Sequence, residues 1–599
     1  MKKILLSIAF ALMGIASGFA AKAYSGIITV TQSDGTELNV RMYGDEHFNW
    51  LTTEDGVLLV QEGNNYYIAE TTSYGTLKAT KFIAHNANKR VSAEIKAIKK
   101  QNHSRFRSYA IEQASTAKAM GTGNNGVKYF PHSGSPKALV ILVEFSDTTF
   151  RSGEKAKNVF EHFLKGKAED ALPDGYEAYT GSYKNKNLLR NKGSVSDYFY
   201  DMSKGTYTPQ FDVVGPYKLN HSSLYYGQGD KDNTYDLVSD ACKAADQDVD
   251  FSRYDADGDG MVDLVYIIYA GYPASMSGNP NDIWPKSGPG NGSFGTYDGK
   301  QVCRYGVHAE LNFGWALNKK NGFLLSGIGL FCHEFSHTLG LPDLYPTDDA
   351  SKVDNQNPEM WDLMDGGEYT YNGGYCPTPY SPWELAVMGW TSPVELGDKA
   401  KQVQLNSYYK ERTAYKINGE NDEYLLIQNI QKGGWWNGIA NVYNTGMLIW
   451  RIDYGTKDVN LFDNPNNTIG KPKVMIVPAD GYVISDYNHG KGKKWTDDQY
   501  KESLKGDLFP GATKKTELLS VELNNSTLEK PFYNIKETDG VITFDYLKDF
   551  TTGIDSPVIQ QNQEKDTRIF TLDGRYLGTD VSQLTKGVYI IGKKKVIIK

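Results

Sequence analysis

The sequence predicts an α+β protein: one mixed unit in the middle of the chain, flanked by smaller β-rich units. Three observations carry this. Residues 138–145 and 262–269 are apolar runs rich in β-branched residues, with the length of buried strands. Residues 325–332 form an apolar, small-residue stretch able to open a buried helix, whose two glycines allow close packing at some cost in helix propensity. From about residue 397 the pattern becomes short strands parted by turn residues, as in a β-sandwich. The 41 Tyr and 60 Gly also suit a β-rich, loop-rich extracellular protein better than a helical one.

The N-terminus has the form of a secretory signal over 1–23. Lys2 and Lys3 precede an apolar run from Ile4 to Phe19, and Ala21-Lys22-Ala23 has the small-x-small form of a cleavage site, with Ala20 as an alternative. The competing reading is a membrane anchor, but no second apolar run of about 18 residues follows, so no stable membrane span is expected. Residues 24–127 divide in two. A β-rich unit runs to about 85, with a hairpin signal at Ser33-Asp34-Gly35. A stretch rich in Lys, Ala, Ser and Gln then leads to the Gly- and Asn-rich 121–126, a linker suited to proteolytic cutting. Residues 128–396 form the mixed unit, with a further helix expected at 194–205. Residues 397–548 form the β-sandwich unit, and 549–599 a polar linker and a small β unit. In that last unit 587–591 and 596–598 flank Gly592 and three lysines as a hairpin. A net charge of −8 gives no sign of a nucleic-acid or anionic-membrane surface.

The stretch richest in chemistry is His333-Glu334-Phe335-Ser336-His337, continuing through Gly340 to Asp343 as H-E-x-x-H-x-x-G-x-x-D. Histidine is scarce, 10 in 599, so chance predicts on the order of 0.01 matches to H-E-x-x-H alone. Positions i and i+4 share a helix face, so His333 and His337 can aim two imidazoles at one metal ion. Gly340 can end the helix in a left-handed conformation and Pro342 cannot continue it. The returning chain offers Asp343 as a third ligand. Glu334 is placed as the general base for a metal-activated water. The expected activity is a zinc-dependent endopeptidase acting on protein or peptide substrates. The plain alternative is a core helix with two satisfied histidines, which adjacent buried Glu and His make costly.

A second cluster, Asp255, Asp257, Asp259 and Asp263, places carboxylates at positions 1, 3, 5 and 9 of a loop with Gly260 at position 6, as in a calcium loop. Position 12 is Tyr266 rather than Glu, so a complete EF-hand is not expected; Ca2+ would be structural, and the alternative is a solvated acidic turn. Cys242, Cys303, Cys332 and Cys376 admit three disulfide pairings or free thiols. None lies before the mixed unit, so no propeptide cysteine can block the metal.

These motifs together resemble the M6 family of metalloproteases, the group of the immune inhibitor A proteins. The resemblance is carried by 333–345 (HEFSHTLGLPDLY), 361–367 (WDLMDGG), 194–200, the 255–263 loop and Met388-Gly389-Trp390, and it covers roughly 24–548. It implies a metzincin-like catalytic domain, a β-rich propeptide, a β-sandwich companion domain, and Met364 as an apolar floor under the zinc site. The tail resembles the C-terminal sorting domain of type IX secretion cargo, through Gly587-Val588-Tyr589 and the basic-apolar ending. That implies secretion machinery as a partner and a secreted or cell-surface location. A latency role is expected for 24–110; Asp45 or Glu46 could reach the zinc as carboxylates, but surface acids in a turn are the favoured reading of both. The rival of another class is a surface adhesin using its β domains.

Overall fold

The computed structural model describes residues 19–45, 48–110, 129–179, 190–227, 233–289, 294–313, 323–347, 357–457, 459–483, 497–551, 569–571, 576–578, 580–581, 584–591 and 594–598. Most of the expected signal segment, the 121–126 linker, Glu46, most of the polar linker after 549, and Gly592 lie outside the described residues. Two compact units emerge, 1–547 and 548–599. The architecture is mixed α+β with several sheets.

The central sheet has six strands in the order Phe19–Ala20, Lys286–Pro289, Arg304–Ala309, Val265–Tyr269, Lys137–Glu144 and Gln210–Lys218. The last four are mutually parallel, and Lys286–Pro289 runs antiparallel to its neighbour. The alternation of side chains along a strand decides what covers each face. Val140, Leu142, Tyr266 and Ile268 enter one core with the helices Ala156–Lys165, Val195–Met202 and Ile328–Thr338. Leu139, Ile141, Val265 and Ile267 enter another under the helix Thr234–Ala245. Both faces are buried, so the strands read as continuous apolar runs. The expected 262–269 strand is interrupted: Met261–Val262 pairs in a separate small sheet and Val265–Tyr269 in the central one.

The helix Ile328–Thr338 is buried along its whole length. Phe331 stacks on Tyr266 with centroids 4.2 Å apart, and Phe335 packs against Phe199 and Phe211. Gly329 is a close approach: a Cβ there would stand 1.9 Å from the Glu368 carbonyl oxygen. His308, on Arg304–Ala309, lies between Phe163 and Phe331, and neither ring nitrogen has a hydrogen-bond partner among the described residues.

Residues Ile28–Thr31 to Leu77–Ile83 form a six-stranded antiparallel meander in sequence order, with the hairpin at Ser33–Gly35 as expected. Its core includes Ala274 and Trp284, and Tyr66 donates to the Gly278 carbonyl, so the meander is docked on the segment leading to Lys286–Pro289. Beyond residue 393, a five-stranded sheet (Val394–Glu395, Tyr415–Asn418, Tyr424–Ile430, Gly446–Ile452, Val474–Ile476) and a three-stranded one (Lys401–Leu405, Phe532–Thr538, Val541–Tyr546) share a core as a sandwich. The outer face of the larger sheet, with Leu426, Leu448 and Trp450, joins the core that contains the motif helix. The unit after 547 is a four-stranded sheet with the hairpin Gly587–Ile591 to Lys594–Ile598. All four cysteines are free thiols. Among the described residues no helix is long and apolar enough to cross a membrane.

Candidate metal centre and active site

The motif helix brings His333 and His337 onto one face, and Gly340, at φ 104°, turns the chain so that Asp343 returns to them. His333 Nε2 and His337 Nε2 each lie 3.3 Å from Asp343 Oδ1. Tetrahedral ligands with bonds of about 2.0–2.1 Å stand ~3.3 Å from one another, so the three atoms fit zinc. His333 Nδ1 is 2.9 Å from the Leu363 carbonyl and His337 Nδ1 2.7 Å from that of Leu341. A carbonyl only accepts, so each Nδ1 carries the proton and each Nε2 presents its lone pair to the metal position. Both imidazoles and Asp343 are buried. The neighbouring His337 and His333 hold the Asp343 carboxyl below the usual carboxylate range against the opposing effect of burial. Met364 is buried in the main core beside Leu363, and its carbonyl accepts from Leu344 N.

Glu334 sits on the same helix, fully buried, and burial pushes its carboxyl up to about 8. Its main-chain carbonyl accepts from Ser287 Oγ at 2.5 Å, which fixes the helix to Lys286–Pro289, the edge strand of the sheet but for the two residues Phe19–Ala20. Its Oε1 accepts from the backbone nitrogen of Ala21 at 2.5 Å. The cleft between motif helix and edge strand therefore holds the N-terminal segment. Phe19–Ala20 pairs antiparallel with the edge strand in the register Phe19↔Ser287. Trp284 Nε1 donates to the Ala21 carbonyl and Tyr369 Oη to that of Lys22. Asp45 stands in a turn, the favoured reading, though buried rather than on the surface. Its Oδ1 caps the turn at Phe48 N, outside the group that converges on the metal position. The chain enters the cleft earlier, through Ala21 and Lys22.

Several buried acids beside the site were not read from the sequence. Glu359, Asp362, Asp365 and Glu368 recur every third residue around Met364. Glu368 lies 3.9 Å from His333 Nδ1, neither oxygen has a hydrogen-bond partner among the described residues, and burial pushes its carboxyl well above the usual range. Loops and a helix, Asp497–Gly506, from beyond residue 393 also reach the site. Asp507 accepts from Trp361 Nε1 at 2.7 Å, Asn466 donates to the Leu344 carbonyl, and Tyr500 donates to Glu359 Oε2 at 2.8 Å.

The second acidic cluster is partly assembled. Asp255, Asp257 and Asp263 bring one oxygen each within 4.8 Å of one another. Asp259 is turned away: its Oδ1 accepts from Met261 N, and its Oδ2 lies 3.6 Å from Arg304. Lys300 stands 2.6 Å from Asp255 Oδ2, while Asp255 Oδ1 is buried without a hydrogen-bond partner. Gly258 and Gly260 both have positive φ, and the loop leads into the strand that carries Tyr266.

Residues 128–389 match the family model described as Immune inhibitor A peptidase M6, catalytic domain. The chain is 27% identical over 284 residues to Immune inhibitor A of Bacillus thuringiensis subsp. alesti, covering 41% of this chain and 38% of that protein. It is 23% identical over 281 residues to the pre-pro-metalloprotease PrtV of Vibrio cholerae serotype O1 (strain M66-2), covering 41% of this chain and 29% of that protein. The matched region thus spans well under half of each relative. These similarities support a peptidase M6 catalytic domain at 128–389 and a metalloendopeptidase as its class.

Proposed function

We propose that the chain is a secreted zinc-dependent endopeptidase, with His333, His337 and Asp343 as metal ligands and Glu334 as general base. The observation that carries the reading is the convergence of the three ligand atoms beside a buried carboxylate that already holds a backbone nitrogen. Zinc, when bound, polarises the scissile carbonyl and lowers the pKa of a water to about 7. Glu334 takes a proton from the attacking water and delivers it to the leaving amine. Its Oε1 stands 2.5 Å from Ala21 N, so the carboxylate is within reach of a peptide nitrogen. The edge strand orients an extended peptide by main-chain pairing. Casein turnover with and without a chelator tests the reading, with zinc added back. Casein left intact by the zinc-loaded protein would favour the adhesin alternative.

Occupation of the cleft favours a second, linked reading: the chain is latent until the N-terminal segment leaves. In this reading Ala21 and Lys22, both buried, stay with the mature chain, which then starts after Ala20, the alternative cleavage site. Met364 serves this reading as an apolar support beneath the ligands. Asp255, Asp257 and Asp263 are the proposed structural calcium ligands, with Asp259 joining on displacement of Arg304. The separate sheet of the tail unit suits a sorting domain read by secretion machinery.

A further inference from the structure

One side chain of the segment in the cleft is recognised in a way that main-chain pairing does not explain. Ala21 and Lys22 are held by contacts to their backbone: Ala21 N to Glu334, Ala21 O to Trp284, Lys22 O to Tyr369. Any peptide offers those groups. The Lys22 side chain, only 1% exposed, enters a buried pocket in which its ammonium lies 2.7 Å from Asp365 Oδ1 and 3.2 Å from Glu359 Oε2.

The pocket is preorganised. Asp365 Oδ2 accepts from Glu359 N at 2.7 Å, Asn357 Nδ2 donates to Glu359 Oε1, and Tyr500 Oη donates to Glu359 Oε2 at 2.8 Å. The carboxylates are therefore oriented by groups other than the lysine. Two buried carboxylates this close are costly without a cation between them, so the pocket selects against neutral and acidic occupants as well as for a basic one.

Resting on the metallopeptidase reading, we propose that Glu359, Asp365 and Tyr500 form a specificity pocket for a lysine-type side chain of the substrate. The register is given by Glu334: if the Ala21 nitrogen marks the leaving amine, the selected residue is the second after the cleaved bond. Lys22 occupies the pocket as a substrate mimic. Tyr500 comes from the helix Asp497–Gly506, so the pocket joins the 359–365 segment to a part of the chain beyond the matched catalytic region.

The test uses the full chain carrying Lys22→Glu, which puts a third carboxylate in the pocket and ejects the segment; Lys22→Ala replaces it if the glutamate impairs folding. With Glu334→Gln added to prevent turnover, binding of zinc-loaded protein to the labelled peptide Phe-Ala-Ala-Lys-Ala-Tyr is measured by fluorescence anisotropy. Peptides with arginine, norleucine or glutamate in place of lysine are measured alongside. We expect norleucine to weaken binding about tenfold or more, glutamate further still, and Asp365→Asn to abolish most of the lysine advantage. Equal binding of lysine and norleucine, no binding of any peptide, or a lysine advantage indifferent to Asp365→Asn would overturn the proposal. Quenched versions of the peptides, given to the chain with Glu334 intact, separate the two readings. Selective binding without cleavage defeats the peptidase reading and leaves the pocket standing; cleavage without selectivity does the reverse.

Discussion

Acid should loosen the layer behind the motif helix through one residue, His308. The imidazole is buried between Phe163 and Phe331, and no donor or acceptor among the described residues meets either nitrogen. Burial alone pushes its pKa from 6.5 down to about 3. The folded state thus holds His308 neutral while the unfolded chain protonates near 6.5. Stability from this group is complete above about pH 6.5 and falls as pH drops toward 3. Between pH 7.5 and 5.0 the loss is about 2 kcal/mol, and the full gap corresponds to about 5 kcal/mol at ~1.4 kcal/mol per pH unit. His308→Leu, an apolar side chain of similar bulk, should remove that slope. Urea unfolding of the full chain and the variant in EDTA, at the two pH values, isolates the effect from metal release. An equal loss in both proteins would refute the assignment.

Other consequences follow from separate contacts. Lys22→Glu should raise casein turnover of the full-length chain at least tenfold, because a lost buried ion pair weakens the segment by about 3–5 kcal/mol; unchanged turnover would count against latency. Calcium at about 100 times its dissociation constant should stabilise the chain by ~2.7 kcal/mol, read as a higher Tm. Asp257→Asn should blunt that response, and an unaltered melt in excess EGTA would sink the calcium site. Asp507→Ala strands the buried Trp361 indole N–H and should cost about 1–3 kcal/mol in urea unfolding.

What the sequence made legible is local. His333, Glu334 and His337 lie within two helical turns, and Gly340 fixes where Asp343 returns, so spacing alone could place the ligands. The loop Asp255–Asp263 is local too, yet Arg304 and Lys300 come from two distant strands and redirect Asp259 and Asp255. The occupied cleft was hidden because Ala21 and Lys22 meet Glu334, Glu359 and Asp365 across more than 300 residues. Their small-x-small pattern is also that of a cleavage site. The edge strand Lys286–Pro289 has no strand signature, since Gly288 and Pro289 are poor strand formers. Tyr424–Ile430 was readable as a strand, but its burial on both faces, by the sandwich core and by the motif helix's core, was not. The spacing of Glu359, Asp362, Asp365 and Glu368 was the one unused signal, as acids three apart beside an apolar core demand partners.

The central claim is tested most directly by measuring zinc content and casein turnover on the same samples of the Lys22→Glu chain, with Glu334 and with Glu334→Gln. The account predicts one zinc per chain in both, and turnover lower by about 10²–10⁴ in the glutamine variant. Undiminished cleavage by the zinc-loaded Glu334→Gln protein would contradict it.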